Sequence, residues 1–119
     1  MLAVVAVGAV VVAPKLLSSG GSSDPGCKAY SGTALTSYNK TIHDLNGQAT
    51  QAVLAVDMST SITDLTSAVS QAQSASVKSA LDRLLTELKT VQADVKSGSV
   101  PTPTVNTLNA DSTAADQAC

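Results

Sequence analysis

This sequence contains neither phenylalanine nor tryptophan, and its aromatic side chains are limited to Tyr30 and Tyr38. A hydrophobic core must therefore be assembled from Leu, Val, Ile and Ala, whose small side chains favour close helix packing over a wide ligand cavity. The chain also lacks the series of aromatic rings on which proteins stack unpaired nucleobases. Tyr38 keeps the spacing of the apolar residues around it, so we expect it to be a core residue.

Charge is scarce as well, since only 13% of the residues are charged. The chain has seven Lys and Arg residues and nine Asp and Glu residues. The formal net charge is −2, and the cations are scattered among the acids. A nucleic-acid surface requires a basic face that neutralises phosphates. We therefore predict that nucleic acid is not a partner.

Groups of residues that would specify a reaction are missing. His43 is the only histidine, and it lies outside the apolar positions of its segment. The sequence has no nucleophile motif and no glycine-rich phosphate loop. A zinc site built from Cys27, His43 and Cys119 would lack any recognisable ligand spacing. The prediction is a protein that is not an enzyme, with no catalytic residue, cofactor or metal.

Cysteine occurs only as Cys27 and Cys119, which bracket the segment between them. Two cysteines at the two ends of a small domain predict a disulfide. Disulfides persist outside the cytoplasm, so the pair also predicts an extracytoplasmic protein. Lipid attachment at Cys27 is an alternative, although Asp24 and Pro25 depart from the lipoprotein pattern and Cys119 would then remain unpaired.

The N-terminal part contains an apolar run, residues 2–13. We interpret residues 1–17 as a signal peptide or a membrane anchor, followed by a Gly/Ser-rich linker and lead-in over residues 18–32. As a helix the run would cover roughly 20 Å of a ~30 Å hydrocarbon layer, which favours a cleaved leader. The protein is therefore expected to be secreted, or anchored to the cell membrane by residues 2–17. No basic residue precedes the run, so we expect the true start to lie upstream.

Residues 33–119 show the apolar spacing of helices and predict an all-α domain. The expected fold is a small antiparallel bundle of three or four amphipathic helices, closed by a terminal disulfide. The first helix is predicted over about Thr33–Val56, with Gly47 as a weak point inside it. A turn near Asp57–Thr60 and a capping box at Ser61–Asp64 are predicted to begin the next helix.

Two alternatives stay open after this second helix, because Ser74–Ser76 could form a turn or one long helix could continue through them. Gly98 is predicted to end the following helix. After an extended connector over Val100–Thr104, a short last helix would direct these residues inward: Val105, Leu108, Ser112, Ala115 and Cys119. Leu54 and Leu85 lie off the main stripes and are predicted as exposed contact residues.

The layout as a whole resembles the small exported proteins of actinobacteria. It has an Ala- and Val-rich leader, a Gly/Ser linker, and Ala/Ser/Thr-rich helices closed by two cysteines. This resemblance covers the full length, contains no motif and implies export without an activity. Residues 24–27 (DPGC), ahead of a helix, also resemble the start of the mycobacterial haem-carrier family, which would make Tyr30, Tyr38 and His43 candidate haem ligands.

Together these features predict an exported, non-enzymatic helical domain with a structural or protein-interaction role at the cell envelope. Its partner would be a protein or a cell-wall component, and it would contact the membrane only through the N-terminal segment. The alternative is a carrier of a small apolar ligand or haem, which requires the bundle to open or dimerise to form a cavity.

Overall fold

The computed structural model describes residues 6–7, 10–11, 24–47 and 50–119. Most of the predicted leader and the Gly/Ser-rich residues 18–23 lie outside the described residues. In chain order the elements are β1 (Ala6–Val7), α1 (Pro25–Ala29), a π-helical turn (Tyr30–Ala34), α2 (Leu35–Asn46), α3 (Gln51–Gln71), α4 (Ala75–Ser97), β2 (Ser99–Val100) and α5 (Thr102–Ala118).

The predicted all-α bundle is confirmed, with four helical rods in the part of the chain that the structure describes. The first rod comprises α1, the π turn and α2, which follow one another directly and are kinked at Gly32, where φ is −90° and ψ is −107°. The other rods are α3, α4 and α5, and rods that are consecutive in sequence pack against each other. The molecule is slim, with extents of 46 × 22 × 21 Å.

The first rod begins at Pro25, so the predicted start near Thr33 is wrong. The Asp24 side chain caps the helix, because its Oδ1 accepts a hydrogen bond of 2.8 Å from the backbone N–H of Gly26. Asp as the cap followed by Pro in the first turn is a favourable helix start. The glycines at 26 and 32 concealed this signal, because glycine is unfavourable inside helices.

The break between the first two rods lies near Gly47, so the predicted turn at Asp57–Thr60 is wrong. Helix α2 ends at Asn46, and α3 is continuous through the proposed turn and capping box. Thr50 caps α3, since its Oγ1 accepts a hydrogen bond of 3.3 Å from the N–H of Val53. Gly47 therefore ends a helix.

The remaining boundaries agree better with expectation. A turn over residues 72–74 separates α3 from α4, so the alternative of one long helix is wrong. Gly98 ends α4 in the left-handed conformation, with φ of 97°. Helix α5 begins at Thr102, two residues inside the predicted extended connector, because Pro103 is tolerated in a first helical turn.

The core runs along the bundle axis and is built from aliphatic side chains together with both tyrosines. Leu54 and Leu85, predicted as exposed contacts, are only 1% and 6% exposed, so that prediction is wrong. Val53 and Val56 are instead 50% and 66% exposed. The five inward positions predicted for the last helix are confirmed as buried: Val105, Leu108, Ser112, Ala115 and Cys119.

At one end of the bundle the chain is joined by a disulfide and by a close helix crossing. Cys27 and Cys119 form the predicted disulfide, with their Cα atoms 5.3 Å apart. Close beside it, α1 crosses α3 at Gly26, where an added Cβ would lie 2.7 Å from both Cα and Cβ of Ala72. The helices can approach this closely only because residue 26 has no side chain.

Candidate functional site

The Asp24 carboxylate joins two parts of the chain at the disulfide end. Besides capping α1, it accepts hydrogen bonds from the backbone N–H groups of Gln73 at 3.1 Å and Ser74 at 2.6 Å. The bond from Ser74 contributes most to holding the pKa of Asp24 below its usual value. This carboxylate therefore fixes the start of the first rod to the turn between α3 and α4. Sequence reasoning had placed Asp24 in a linker.

A buried polar cluster lies between the first rod and α5. The Tyr30 hydroxyl donates a hydrogen bond of 2.8 Å to the Asp116 carboxylate, and Ser112 lies beside both tyrosines. Burial is the main cause that raises the pKa of Tyr30 and of Tyr38, so both phenols stay neutral at physiological pH. Both tyrosines are fully buried. The cluster holds the first rod against α5.

A polar groove of about 680 Å³ follows the contact between the first rod and α3. It begins at the π turn, where Gly32 is exposed and an added Cβ would meet no atom within 4 Å. Five of its lining residues carry hydroxyl groups and three carry charges: Ser31, Thr33, Thr36, Ser37 and Thr60, with Lys40, Asp57 and Asp64. We refer to this surface as the polar groove.

The charges of the polar groove interact across its two walls. Lys40 Nζ lies 3.9 Å from Asp57 Oδ1, with the Lys40 side chain 71% exposed and the Asp57 side chain 14% exposed. Asp44, one helical turn after Lys40, also interacts with Asp57. Burial, followed by this second carboxylate, raises the pKa of Asp44 to about 6. The Lys40–Asp57 contact therefore links the two walls, and the Asp44 carboxyl beside Asp57 keeps its proton in weakly acidic solution.

A second surface lies near the other end of the bundle, where residues of the predicted leader contact the helices. β1 pairs in parallel with β2, with Ala6 opposite Ser99 and Val7 opposite Val100. The Val11 side chain is 1% exposed and belongs to the core. We call residues 6–7 and 10–11 the docked segment. Sequence reasoning assigned them to a leader and did not foresee this contact.

The residues singled out from sequence for chemistry do not converge on one site. His43 is exposed, as predicted, whereas Tyr30 and Tyr38 are buried, so the three candidate haem ligands have different surroundings. Within residues 6–7, 10–11, 24–47 and 50–119, no group of three or more His, Cys, Asp or Glu is arranged to hold a metal ion. No helix in this same part of the chain combines the length and hydropathy of a membrane span.

No protein-family model, curated protein or solved structure matches the chain significantly.

Proposed function

We propose that this chain is an exported, non-enzymatic interaction domain and that the polar groove binds a protein partner. The observation that supports this most directly is the groove itself, which combines exposed backbone at a π turn, a row of hydroxyls and opposed charges. The hydroxyl and charged groups along the groove can pair with polar side chains of a partner.

The interior of the bundle supports a surface function over the carrier alternative. Along the bundle axis the largest buried side chains, such as Tyr38, Met58 and Leu84, are each 0% exposed. An apolar ligand would have to displace these side chains, at the cost of opening a packed core.

Export is supported by the disulfide, because such bonds are typical of oxidising compartments. The intact mass of the native protein, measured without reduction, tests this part of the proposal. We expect the protein in the envelope fraction or the medium, with a mass two hydrogens below that of the chain with free thiols. Two free thiols in native material, or a cytoplasmic location, would contradict export.

Photo-cross-linking in the native cells tests the binding surface. A cross-linking residue at Thr36 or Thr60 places the probe in the groove, and the same residue at Thr90, exposed on α4, serves as the control. We expect a protein adduct of one defined mass from the two groove positions only. Adducts from all three positions, or from none, would reject the groove as the interface.

A charge reversal then tests the chemistry of that contact. Lys40→Glu should reduce the yield of the adduct, because Lys40 is the cation of the groove. The matched control is Lys89→Glu, which reverses an exposed lysine of α4. An adduct that contains glycan instead of protein would mean that the groove binds a cell-wall polymer, and the proposal of a protein partner would fail.

A further inference from the structure

The docked segment is held through its backbone, by side-chain amides of the bundle. Asn46 makes two hydrogen bonds to one residue, accepting from the Val11 N–H at 2.9 Å and donating to the Val11 carbonyl oxygen at 2.8 Å. Asn109 donates a further hydrogen bond of 3.1 Å to the carbonyl oxygen of Val10. Contacts of this kind recognise an extended backbone whatever its side chains are.

Of the two residues of the segment whose side chains the structure describes, Val11 is the one that could select for an apolar side chain. Val11 is 1% exposed, whereas its neighbour Val10 is 74% exposed. The two neighbouring side chains therefore differ in exposure, as successive residues of an extended segment do. Together with the parallel pairing of β1 on β2, this difference is the pattern by which proteins bind a peptide through strand addition.

The groups that hold the segment belong to the bundle. Asn46 is the last residue of α2, Asn109 lies within α5, and β2 directly follows the left-handed Gly98 that ends α4. Removing the docked segment would take away the partner that Asn46 has in Val11 and the strand paired with β2. Unpaired strand edges are a template for another chain.

We propose that this end of the bundle is a binding site for an extended apolar peptide of a partner protein, and that the docked segment occupies it in the manner of that peptide. The inference rests on the proposed function in one respect, because the site would open to a partner where processing during export removes the N-terminal segment. The site would take a Val- or Ala-rich strand, with one residue buried at the Val11 position and its backbone held by Asn46.

The test uses the full chain with a protease recognition sequence inserted between Gly20 and Gly21. After cleavage, a fluorescent peptide of residues 2–15 is added, and its binding is followed by fluorescence anisotropy. We expect the labelled peptide to replace the cleaved segment and bind. No binding at about 100 μM peptide would overturn the proposal. So would a cleaved segment that never exchanges, since it would then be a permanent part of the fold.

Two peptide variants separate a defined site from general hydrophobic adhesion. Val11→Asp in the peptide should weaken binding about tenfold or more, because a carboxylate would enter the buried position. Val10→Asp should change binding by less than about twofold, because that side chain is exposed. Equal weakening by the two changes would overturn the proposed register.

Two protein variants test the amide contact. Asn46→Asp should weaken peptide binding about tenfold, because a carboxylate cannot donate to the Val11 carbonyl oxygen. Asn39→Asp, an exposed position on the same helix, should have no effect. Equal effects would exclude Asn46 as a specific contact. This binding assay uses purified protein, so its result is independent of export and of the polar groove.

Discussion

Asp44 lies on α2 with its carboxyl close to Asp57 of α3, and its Oδ2 atom is shielded from solvent. Its pKa is raised from 3.8 in the unfolded chain to about 6 in the fold, by burial first and by Asp57 second. The folded state therefore binds this proton more tightly than the unfolded state. Stability from this group is greatest below pH 4 and is lost as the pH rises from about 4 to about 6.

Asp44→Asn should remove that loss, because an amide stays neutral and can donate to Asp57. At pH 7.5 we expect the variant to be more stable than the parent chain by about 1 kcal/mol, a figure reduced by solvent screening. Urea unfolding at pH 4.5 and 7.5 measures this, with Asp82→Asn, an exposed site on α4, as the control. A variant that is less stable than the parent at pH 7.5 would contradict the assignment.

Gly26 provides a case in which two physical effects oppose each other. Alanine has a higher helix propensity than glycine by about 1 kcal/mol, so propensity alone predicts that Gly26→Ala stabilises α1. A Cβ there would lie 2.7 Å from Ala72 and 2.9 Å from the carbonyl oxygen of Ala68. Overpacking of this kind costs about 1–3 kcal/mol, so we expect net destabilisation.

Thermal unfolding of Gly26→Ala should therefore show a lower Tm than the parent protein. Lys28→Ala, exposed on the same helix, is the matched control and should unfold close to the parent. A Tm above that of the parent would show that α1 and α3 separate without cost.

Single residues differ in how much the sequence says about them. The Cys27–Cys119 pair and the burial of Tyr38 follow from position and spacing, and the structure confirms both. The roles of Asp24 and Asn46 were missed, because each bonds to backbone far away in the chain. Such contacts leave no local periodicity, although Asp followed by Pro was a readable helix start.

At the scale of whole helices, α4 was predictable because its buried residues are all apolar and evenly spaced. Helix α3 was not predictable in this way. Its buried face includes Ser61, whereas Val53 and Val56 on the opposite side are exposed. Following the apolar residues alone produced an apparent change of phase near Asp57. The burial of a small polar residue, which only packing decides, moved the predicted break away from Gly47.

The end of α4 depends on Gly98, whose φ of 97° is left-handed. A side chain in this conformation costs about 1–2 kcal/mol, so Gly98→Ala should lower the free energy of unfolding by that amount. Gly98→Asn should be milder, because Asn tolerates left-handed backbone better than Ala. Urea unfolding of both variants measures which of them is the more stable. An alanine variant as stable as the asparagine variant would contradict this explanation.

For the molecule as a whole, the disulfide closes a loop with a sequence separation of 92 residues. Loop entropy predicts roughly 4–5 kcal/mol of stabilisation for a closure of this length. We expect reduction with a phosphine to lower the urea midpoint strongly, and Cys27→Ala combined with Cys119→Ala to match the reduced parent. A midpoint unchanged by reduction would mean that the packing of the four rods is sufficient.

The all-α bundle and its closure were predictable at this scale, because they follow from amphipathic spacing and the position of two cysteines. Neither the polar groove nor the docked segment was predictable from the sequence. The groove depends on where the first rod meets α3, which required the correct break at Gly47. The docked segment depends on contacts between an apolar run and distant amides, and composition alone assigned that run to a leader.

The closeness of Asp24 and Cys27 in the chain has a mechanical consequence. A pulling force applied between residues 24 and 119 passes through residues 24–27 and then through the covalent bond to Cys119. The helices between the two cysteines carry none of that load. Unravelling them would otherwise release about 300 Å of chain. Under oxidising conditions the domain should therefore hardly lengthen when it is pulled at residues 24 and 119.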